Sequence, residues 1–251
     1  MDMHMFGAMY APSNSLTLMV MTNYSRKEMT QQRNIMGGKK KFRVRSSGLG
    51  DMSVSGLYKL YNSANFKSHS GFGVSFPTGS INKRDATPAS SNGRLGYAMQ
   101  NGSGTYDQFI FLNSLKKYRK TKLGSQIYYK ISAFGKNSKG YKHGNTFIAK
   151  VWTSFRLIDF FSTSLNINYT KKSKMKGTDN EMNPRMSPVM DSRNQGYQKL
   201  NLGLGFNFIN HSDAFKNHRI GLEIFMPIYQ RYRGIQMSEQ FRTMIGWQYG
   251  F

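Results

Sequence analysis

Apolar and polar residues alternate along many short stretches of this chain, with the period of two that is typical of a β-strand with one apolar face. In the clearest stretch, 200–208, Leu or Phe stands at every second position between Asn and Gly residues. The same alternation recurs at Leu16–Val20, Val54–Leu60, Phe72–Phe76, Ile127–Ile131, Leu165–Tyr169, Ile220–Ile224 and Phe241–Phe251. With a Met-rich first strand and less regular strands near Tyr106–Ser114 and Asn145–Ser154, the pattern predicts about eleven strands.

The connections between these strands are mostly short and long in turn. Short ones fall at 12–14 and 156–159, whereas long segments cover 27–46, 78–103 and 171–195. Outer-membrane barrels alternate short periplasmic turns with long extracellular loops, whereas a soluble β-sandwich has no reason to do so. The sequence therefore predicts an all-β fold, an antiparallel transmembrane β-barrel of the cell outer membrane.

Composition agrees with strands that are apolar on one face only. No stretch approaches the roughly 18 consecutive apolar residues of a spanning helix, mean hydropathy is −0.57 and aromatic residues make up 14%. The chain contains no cysteine, which excludes disulfides, thiolate metal sites and cysteine nucleophiles.

The ends of the chain suggest that more sequence lies upstream. Bacterial single-chain barrels normally have an even strand number, and the first residues lack the basic and apolar regions of a secretory signal. We expect residues 1–251 to form a single barrel domain. The complete protein would have about twelve strands, about eleven of them here, with a strand and a signal peptide upstream.

A net charge of +24 raises the possibility of nucleic-acid binding. The aromatic residues, however, alternate on regular apolar faces instead of lining one groove, so we expect no nucleic-acid partner. Much of the charge lies in the predicted outer loops, in 39–45 and 171–176. These runs would face the phosphates of lipopolysaccharide, or they are solvated loop charges that keep the chain soluble in transit.

Polar residues opposite the lipid-facing positions are the candidates for the lumen wall. They are Asn166, Asn168, Asn201 and Asn207, together with Met19 and Met21, which alternate with Leu16, Leu18 and Val20. Gly79, Gly102 and Gly104 belong to a glycine-rich segment that could fold inward as a gate, or form a plain outer loop.

Methionines are frequent, and Met3, Met5 and Met9 with His4 lie in the first predicted strand. Thioethers with an imidazole suit Cu(I), so copper is a candidate ligand; otherwise no cofactor is expected. The alternative is that methionine fills an irregular interior or faces lipid. The adjacent pairs His69–Ser70 and His211–Ser212 lack an evident acidic or amide partner, which argues against a hydrolase and predicts that the protein is not an enzyme.

Several motifs along nearly the whole chain resemble the outer-membrane family named for the meta-pathway of phenol degradation, whose members are often labelled transporters. The motifs are Met3-His4-Met5, Met9-Tyr10-Ala11-Pro12, Ser47-Gly48-Leu49-Gly50-Asp51, Phe76-Pro77-Thr78-Gly79-Ser80-Ile81, Pro227-Ile228-Tyr229-Gln230 and the final 246–251. This chain is more basic and lacks the segment that family members carry before the Met-rich strand.

The resemblance implies an outer-membrane barrel that passes small hydrophobic or aromatic compounds, and it supplies no catalytic residues. It also implies that the last strand, with Trp247, Tyr249 and Phe251, closes the barrel and is recognised by the barrel-assembly machinery. The expected surroundings are outer-membrane lipid and lipopolysaccharide. The alternatives are a structural or lipopolysaccharide-contacting barrel without transport, and a Met-rich protein related to copper.

Overall fold

The computed structural model describes residues 1–35, 38–209 and 218–249. Its first eight strands are β1 (Asp2–Tyr10), β2 (Leu16–Ile35), β3 (Gly38–Leu49), β4 (Met52–Asn62), β5 (Phe66–Phe76), β6 (Arg84–Thr87), β7 (Ser90–Arg94) and β8 (Asp107–Tyr118). The next eight are β9 (Thr121–Ser132), β10 (Tyr141–Lys142), β11 (Thr146–Ile158), β12 (Phe161–Lys172), β13 (Lys176–Gly177), β14 (Tyr197–Ile209), β15 (His218–Tyr232) and β16 (Arg242–Tyr249). Two 3₁₀ helices cover Tyr97–Met99 and Pro188–Met190. None of the helices in these described ranges is long and apolar enough to cross a membrane.

One large antiparallel sheet dominates the molecule. Its eleven-strand path runs β1-β2-β4-β5-β8-β9-β11-β12-β14-β15-β16, and β3 pairs with the outer part of β2 beside it. Each strand of the path thus lies beside its sequence neighbours, as in an up-and-down barrel. The sheet curves into a half-barrel. The all-β antiparallel prediction and the expected number of strands are confirmed.

The outward face of the sheet is apolar and exposed. Ile167, Leu202 and Met226 lie side by side on three neighbouring strands and are 50%, 43% and 61% exposed. The residues that alternate with them face the concave side: they are asparagine or glycine on β12 and β14, and Phe225 and Pro227 on β15. An apolar band on such a sheet is the surface that meets lipid in outer-membrane barrels.

Exposed aromatic side chains gather at the end of the sheet where the connections are short. They include Tyr10, Tyr61, Tyr118, Phe160, Phe208, Trp247 and Tyr249. Trp247 donates a hydrogen bond from its indole nitrogen to His218 Nδ1 at 3.0 Å. Amphipathic rings at this depth suit a membrane interface. Of the three residues predicted for the closing strand, Phe251 lies outside the described residues.

The opposite end carries the long connections, and one of them differs from the prediction. The segment 27–46 was expected to be a loop, but β2 and β3 continue through it as a paired hairpin that extends beyond the sheet. The reason is that Met29, Phe42 and Val44 keep the alternation going, and Met29 and Val44 are buried against other outer connections. The expectation of a loop was wrong because a hydrophobic partner lies within reach of the hairpin.

Three outer connections that leave the sheet at different points pack against one another. They run over 77–106, 133–145 and 173–196, and we call this assembly the cap. Leu95 and Met99 join Met29 and Val44 in one apolar cluster, while Tyr97, Tyr141, Met175 and Met182 form a second cluster. Because the connections start from separate strands and pack together, they extend across the outer end of the concave face.

A buried ion pair ties two parts of the cap together. Arg94 Nη2 lies 2.5 Å from Asp179 Oδ2, and the two side chains are 3% and 1% exposed. Arg94 also donates to Asn82, and the backbone nitrogen of Asp179 donates to the hydroxyl of Tyr97. Buried charges are tolerated only when paired and hydrogen-bonded in this way. The cap is therefore held in one specific arrangement.

The assignment of faces predicts that a charge at two neighbouring positions of β2 changes stability by different amounts. Val20→Arg places a charge on the lipid side, where it is expected to lower the free energy of unfolding in vesicles by about 2–4 kcal/mol. Met21→Arg, on the concave face, should change it little. Urea titrations of the two variants in lipid vesicles, with heat-modifiable gel migration as the folding assay, measure the difference. Equal losses would contradict the assignment.

The ion pair predicts a local effect of losing one charge. Asp179→Asn leaves Arg94 buried without its counter-charge, at a cost of about 3–5 kcal/mol. Amide hydrogen exchange should rise in the cap and stay unchanged in the sheet. Asp191→Asn is the matched control, because its partner Arg193 is 84% exposed. Similar exchange in both variants would show that the buried pair does not hold the cap.

Candidate functional site

The concave face of the sheet, which we call the wall, carries the residues that the sequence predicts to line a lumen. All four predicted asparagines lie on it: Asn168 is paired with Asn201, Asn166 with Gly203, and Asn207 with Gly221. Asn166 and Asn201 are only 2% and 3% exposed. Neither polar atom of the Asn166 amide has a hydrogen-bond partner within the described residues. The asparagine ladder thus places polar groups on the wall, two of them buried.

Glycines on neighbouring strands let large inward side chains lie flat on this wall. A Cβ added at Gly71 would come within 2.2 Å of the Phe111 ring, and one at Gly73 within 2.3 Å of Phe109. A Cβ at Gly124 would likewise meet the Trp152 indole at 2.2 Å. The rings occupy the space that ordinary side chains would need, so they cover the sheet without projecting into the lumen.

A cavity of about 400 Å³ opens against this part of the wall. Its apolar lining is Met19, Met21, Leu57, Phe109, Phe111 and Tyr128, and its polar lining is Asp51, Ser53, Ser75, Asn113, Gln126 and Lys130. The rings of Phe109 and Tyr128 stack with centroids 5.6 Å apart. The predicted lumen residues Met19 and Met21 belong to this lining. A cavity that combines an apolar lining with polar groups can bind a small molecule.

Cations of the lumen wall are held by aromatic rings and by a few carboxylates. Lys150 Nζ lies 5.8 Å from the ring centre of Trp152 and 5.7 Å from that of Phe225. Lys130 Nζ lies 2.7 Å from the buried carboxylate of Asp107. These contacts lower the cost of placing charge within the barrel.

The sequence reasoning missed the aromatic part of the wall. Phe109 and Phe111 stand at alternate positions after Asp107, and Gly71 and Gly73 alternate in the preceding strand of the sheet. The matching spacing is a signal that could have been read. The register that places each ring over its glycine is known only from the pairing of β5 with β8.

The methionines of β1 do not form a single site with His4. Met3, Met5 and Met9 share the concave face with Met19, and Met9 lies directly opposite Met19. His4 pairs with Tyr24 on the other face, because successive residues of a strand point to opposite sides. His4 therefore lies on the opposite face of β1 from the three methionines with which it was predicted to bind a metal. No cluster of three or more His, Asp or Glu side chains suited to a metal occurs in the described residues.

The predicted gate glycines lie where the cap joins the sheet. A Cβ at Gly102 would collide with the carbonyl oxygen of Gly79, so the backbones of these two segments are in direct contact. Asp51 accepts hydrogen bonds from the backbone nitrogens of Gly79 and Ser103, at 3.0 Å and 2.8 Å. Gly104 has a positive φ of 68°. The segment is thus an anchored part of the cap and not a free outer loop.

Burial alters the titration of several cap residues. It raises the pKa of Tyr141 to about 12, and it raises that of Tyr97 above its ordinary value. Burial lowers the pKa of the His143 imidazole well below its ordinary value, and the charges of Lys172 and Lys130 act in the same direction. His143 is therefore neutral at pH 7.

The sequence pairs considered for hydrolysis give no catalytic arrangement among the described residues. Asn113 Nδ2 lies 2.9 Å from His69 Nε2, within hydrogen-bonding distance. Ser70, the next residue along β5, lies on the opposite face of the sheet. The second pair, His211–Ser212, lies outside the described residues.

Comparison with solved structures supports the fold. The COG4313 outer membrane channel from Pseudomonas putida F1 is similar, with a TM-score of 0.63 at 11% identity, covering 98% of this chain and 80% of that chain. OmpT, an outer membrane protein of Vibrio cholerae, gives a TM-score of 0.45 at 9% identity, covering 98% of this chain and 88% of that chain. No curated protein matches.

The barrel fold and its exposed apolar band together place this chain in the outer membrane. Residues 6–215, most of the chain, match the family model described as "Putative MetA-pathway of phenol degradation". The family resemblance found in the sequence motifs is thereby confirmed, and the chain belongs to this outer-membrane family.

Proposed function

We propose that this protein is an outer-membrane channel through which small hydrophobic or aromatic compounds diffuse passively. The observation that carries the proposal is the cavity of about 400 Å³ on the lumen wall. Its aromatic and thioether lining offers an apolar solute favourable contact, and its amides and hydroxyls can bind one polar group of that solute. The surface that binds the solute would thus also be part of the path along which it diffuses.

The proposed mechanism needs only a graded path along the lumen. The rings over Gly71, Gly73 and Gly124 lie against the wall and line the proposed route on one side. The partly exposed amides of Asn168 and Asn207 provide hydrogen-bonding groups that replace part of a solute's hydration. Contacts that are individually weak allow a solute to enter and to leave, which conduction requires.

A non-enzymatic role is part of the same proposal. His69 faces the lumen and is engaged by Asn113, whereas Ser70 faces lipid, so the pair cannot act together on a substrate. The lumen carboxylate of Asp107 is neutralised by Lys130. The inward groups are thus suited to lining a passage.

The packed cap favours a second candidate, a structural barrel without transport. Its two apolar clusters and the buried Arg94–Asp179 pair hold the cap segments together over the outer end of the concave face. A channel requires that a path remain beside the cap or that the cap opens. Direct measurement of flux separates these two functions.

The channel predicts solute flux in a reconstituted system. The folded protein in liposomes should admit phenylalanine faster than a sugar of similar size, because the wall cavity binds a ring. Liposome swelling measures the two rates, and planar bilayers should show discrete conductance steps. Protein-free liposomes are the control. A folded barrel that is silent in both assays would support the structural candidate.

The glycines under the rings predict a narrowed lumen when they are enlarged. In the double variant Gly71→Ala with Gly73→Ala, the new methyl groups displace Phe111 and Phe109 into the cavity, so flux should fall severalfold. Overpacking should also cost about 1–3 kcal/mol of stability. Gly246→Ala is the control, since a Cβ there has no atom within 4 Å. Equal flux in both variants would show that the rings do not line the route of the solute.

A further inference from the structure

The two basic runs of the outer end differ in how their charges are compensated. In the run 39–45, Arg43 and Arg45 both lie within salt-bridge distance of Glu28, at 3.1 Å and 2.9 Å. The backbone nitrogen of Arg45 also donates to the carboxylate of Asp85. In the run 171–176, no lysine has a salt bridge to a carboxylate within the described residues. Within the described residues no carboxylate pairs with the second run, whereas one carboxylate pairs with two of the five cations of the first run.

This second run lines a cavity of about 870 Å³ at the outer rim between β9, β11, β12, β14 and β15. Lys171, Lys172, Lys174 and Lys176 come from the run itself. Lys142, Arg231 and Arg233 approach from other parts of the chain. Seven cations thus surround one cavity, and its lining contains no aspartate or glutamate.

Such an arrangement is unfavourable unless an anion is bound. Like charges around one cavity repel one another, and salt screens this only partly because the screening length is about 8 Å at physiological ionic strength. Lys172 is partly buried, so water compensates it less than it would compensate a free side chain. Charges held together without carboxylates are a signature of sites for phosphate groups.

The rest of the lining supplies neutral hydrogen-bonding groups. Ser132 and Ser173 carry hydroxyls, Tyr197 and Tyr232 carry phenols, and Asn145 carries an amide. The lysine of β10, Lys142, is already oriented, since its ammonium donates to the carbonyl oxygen of Ser132 at 3.1 Å. Cations together with hydroxyl donors suit the several oxygens of a phosphate better than a single carboxylate.

We propose that this rim cavity is a binding site for phosphate-bearing polyanions. Its volume and seven cations fit a ligand with more than one phosphate group. Either the phosphorylated headgroup of lipopolysaccharide or a soluble diphosphate has this chemistry. The site does not depend on the proposed transport function, because the cavity lies at the rim and not on the aromatic wall.

The test uses the full chain folded in detergent micelles. Calorimetry would measure binding of inorganic pyrophosphate and of lipid A, with dephosphorylated lipid A as the lipid control. Binding of pyrophosphate as tight as that of lipid A identifies a soluble ligand, and binding of phosphorylated lipid A alone identifies the headgroup. Binding of neither probe would overturn the proposal.

Variants separate a specific site from general positive charge. Lys172→Gln with Arg233→Gln should weaken binding about tenfold or more, since two charge-assisted contacts are lost. Lys39→Gln with Lys40→Gln removes the same charge from the other run and should change the affinity less than about twofold. Equal weakening by both pairs would overturn the site. Lys174→Gln, exposed and outside every strand, repeats the test if the first pair fails to fold.

The imidazole of His143 provides a second readout from within the cavity. Burial holds the pKa of His143 low, and nearby lysine charges lower it further. An anion bound beside the ring opposes those charges, so the pKa should rise when pyrophosphate or lipid A is added. Nuclear magnetic resonance titration of the ring measures the shift. An unchanged titration in the presence of saturating ligand would place binding elsewhere.

Discussion

The need to satisfy every backbone hydrogen bond without water governs this structure. In lipid, an unpaired amide or carbonyl costs several kcal/mol, so the chain crosses as strands that pair with their neighbours. Pairing leaves alternate side chains on opposite faces, which separates an apolar lipid surface from a lumen wall of small, polar and flat-lying aromatic residues. Ile167 and Asn168 are adjacent in sequence, yet one meets lipid and the other faces the lumen.

Inside the barrel, glycine and aromatic residues solve a problem of space. The concave face of a curved sheet is crowded, and a ring can lie flat against it where the facing residue has no side chain. Phe109, Phe111 and Trp152 each lie over such a glycine. The same device shapes the cavity that the transport proposal depends on, because rings held against the wall give an apolar surface without filling the passage.

Outside the barrel, charge is treated in two ways. The cap buries one cation with its counter-charge, Arg94 with Asp179, and gains a defined arrangement. The rim cavity instead concentrates cations without carboxylates. With a net charge of +24 the chain has too few acidic residues to pair every cation, and position decides which of them are neutralised. A lipid surface rich in phosphate would supply the missing anions.

The sequence by itself determined the fold class, the approximate strand number and the two faces, because alternation is local and the period of two is read directly from neighbouring residues. It also predicted that Asn166, Asn168 and Met19 lie on the face opposite the apolar one. Only the tertiary structure decided the register that lays Phe109 on Gly73, the continuation of β2 and β3 into a hairpin, and the separation of His4 from its methionine neighbours on β1. It likewise brought Arg231 and Arg233 to the lysines of 171–176. These features depend on contacts between residues far apart in the chain, whose pairing no local pattern specifies.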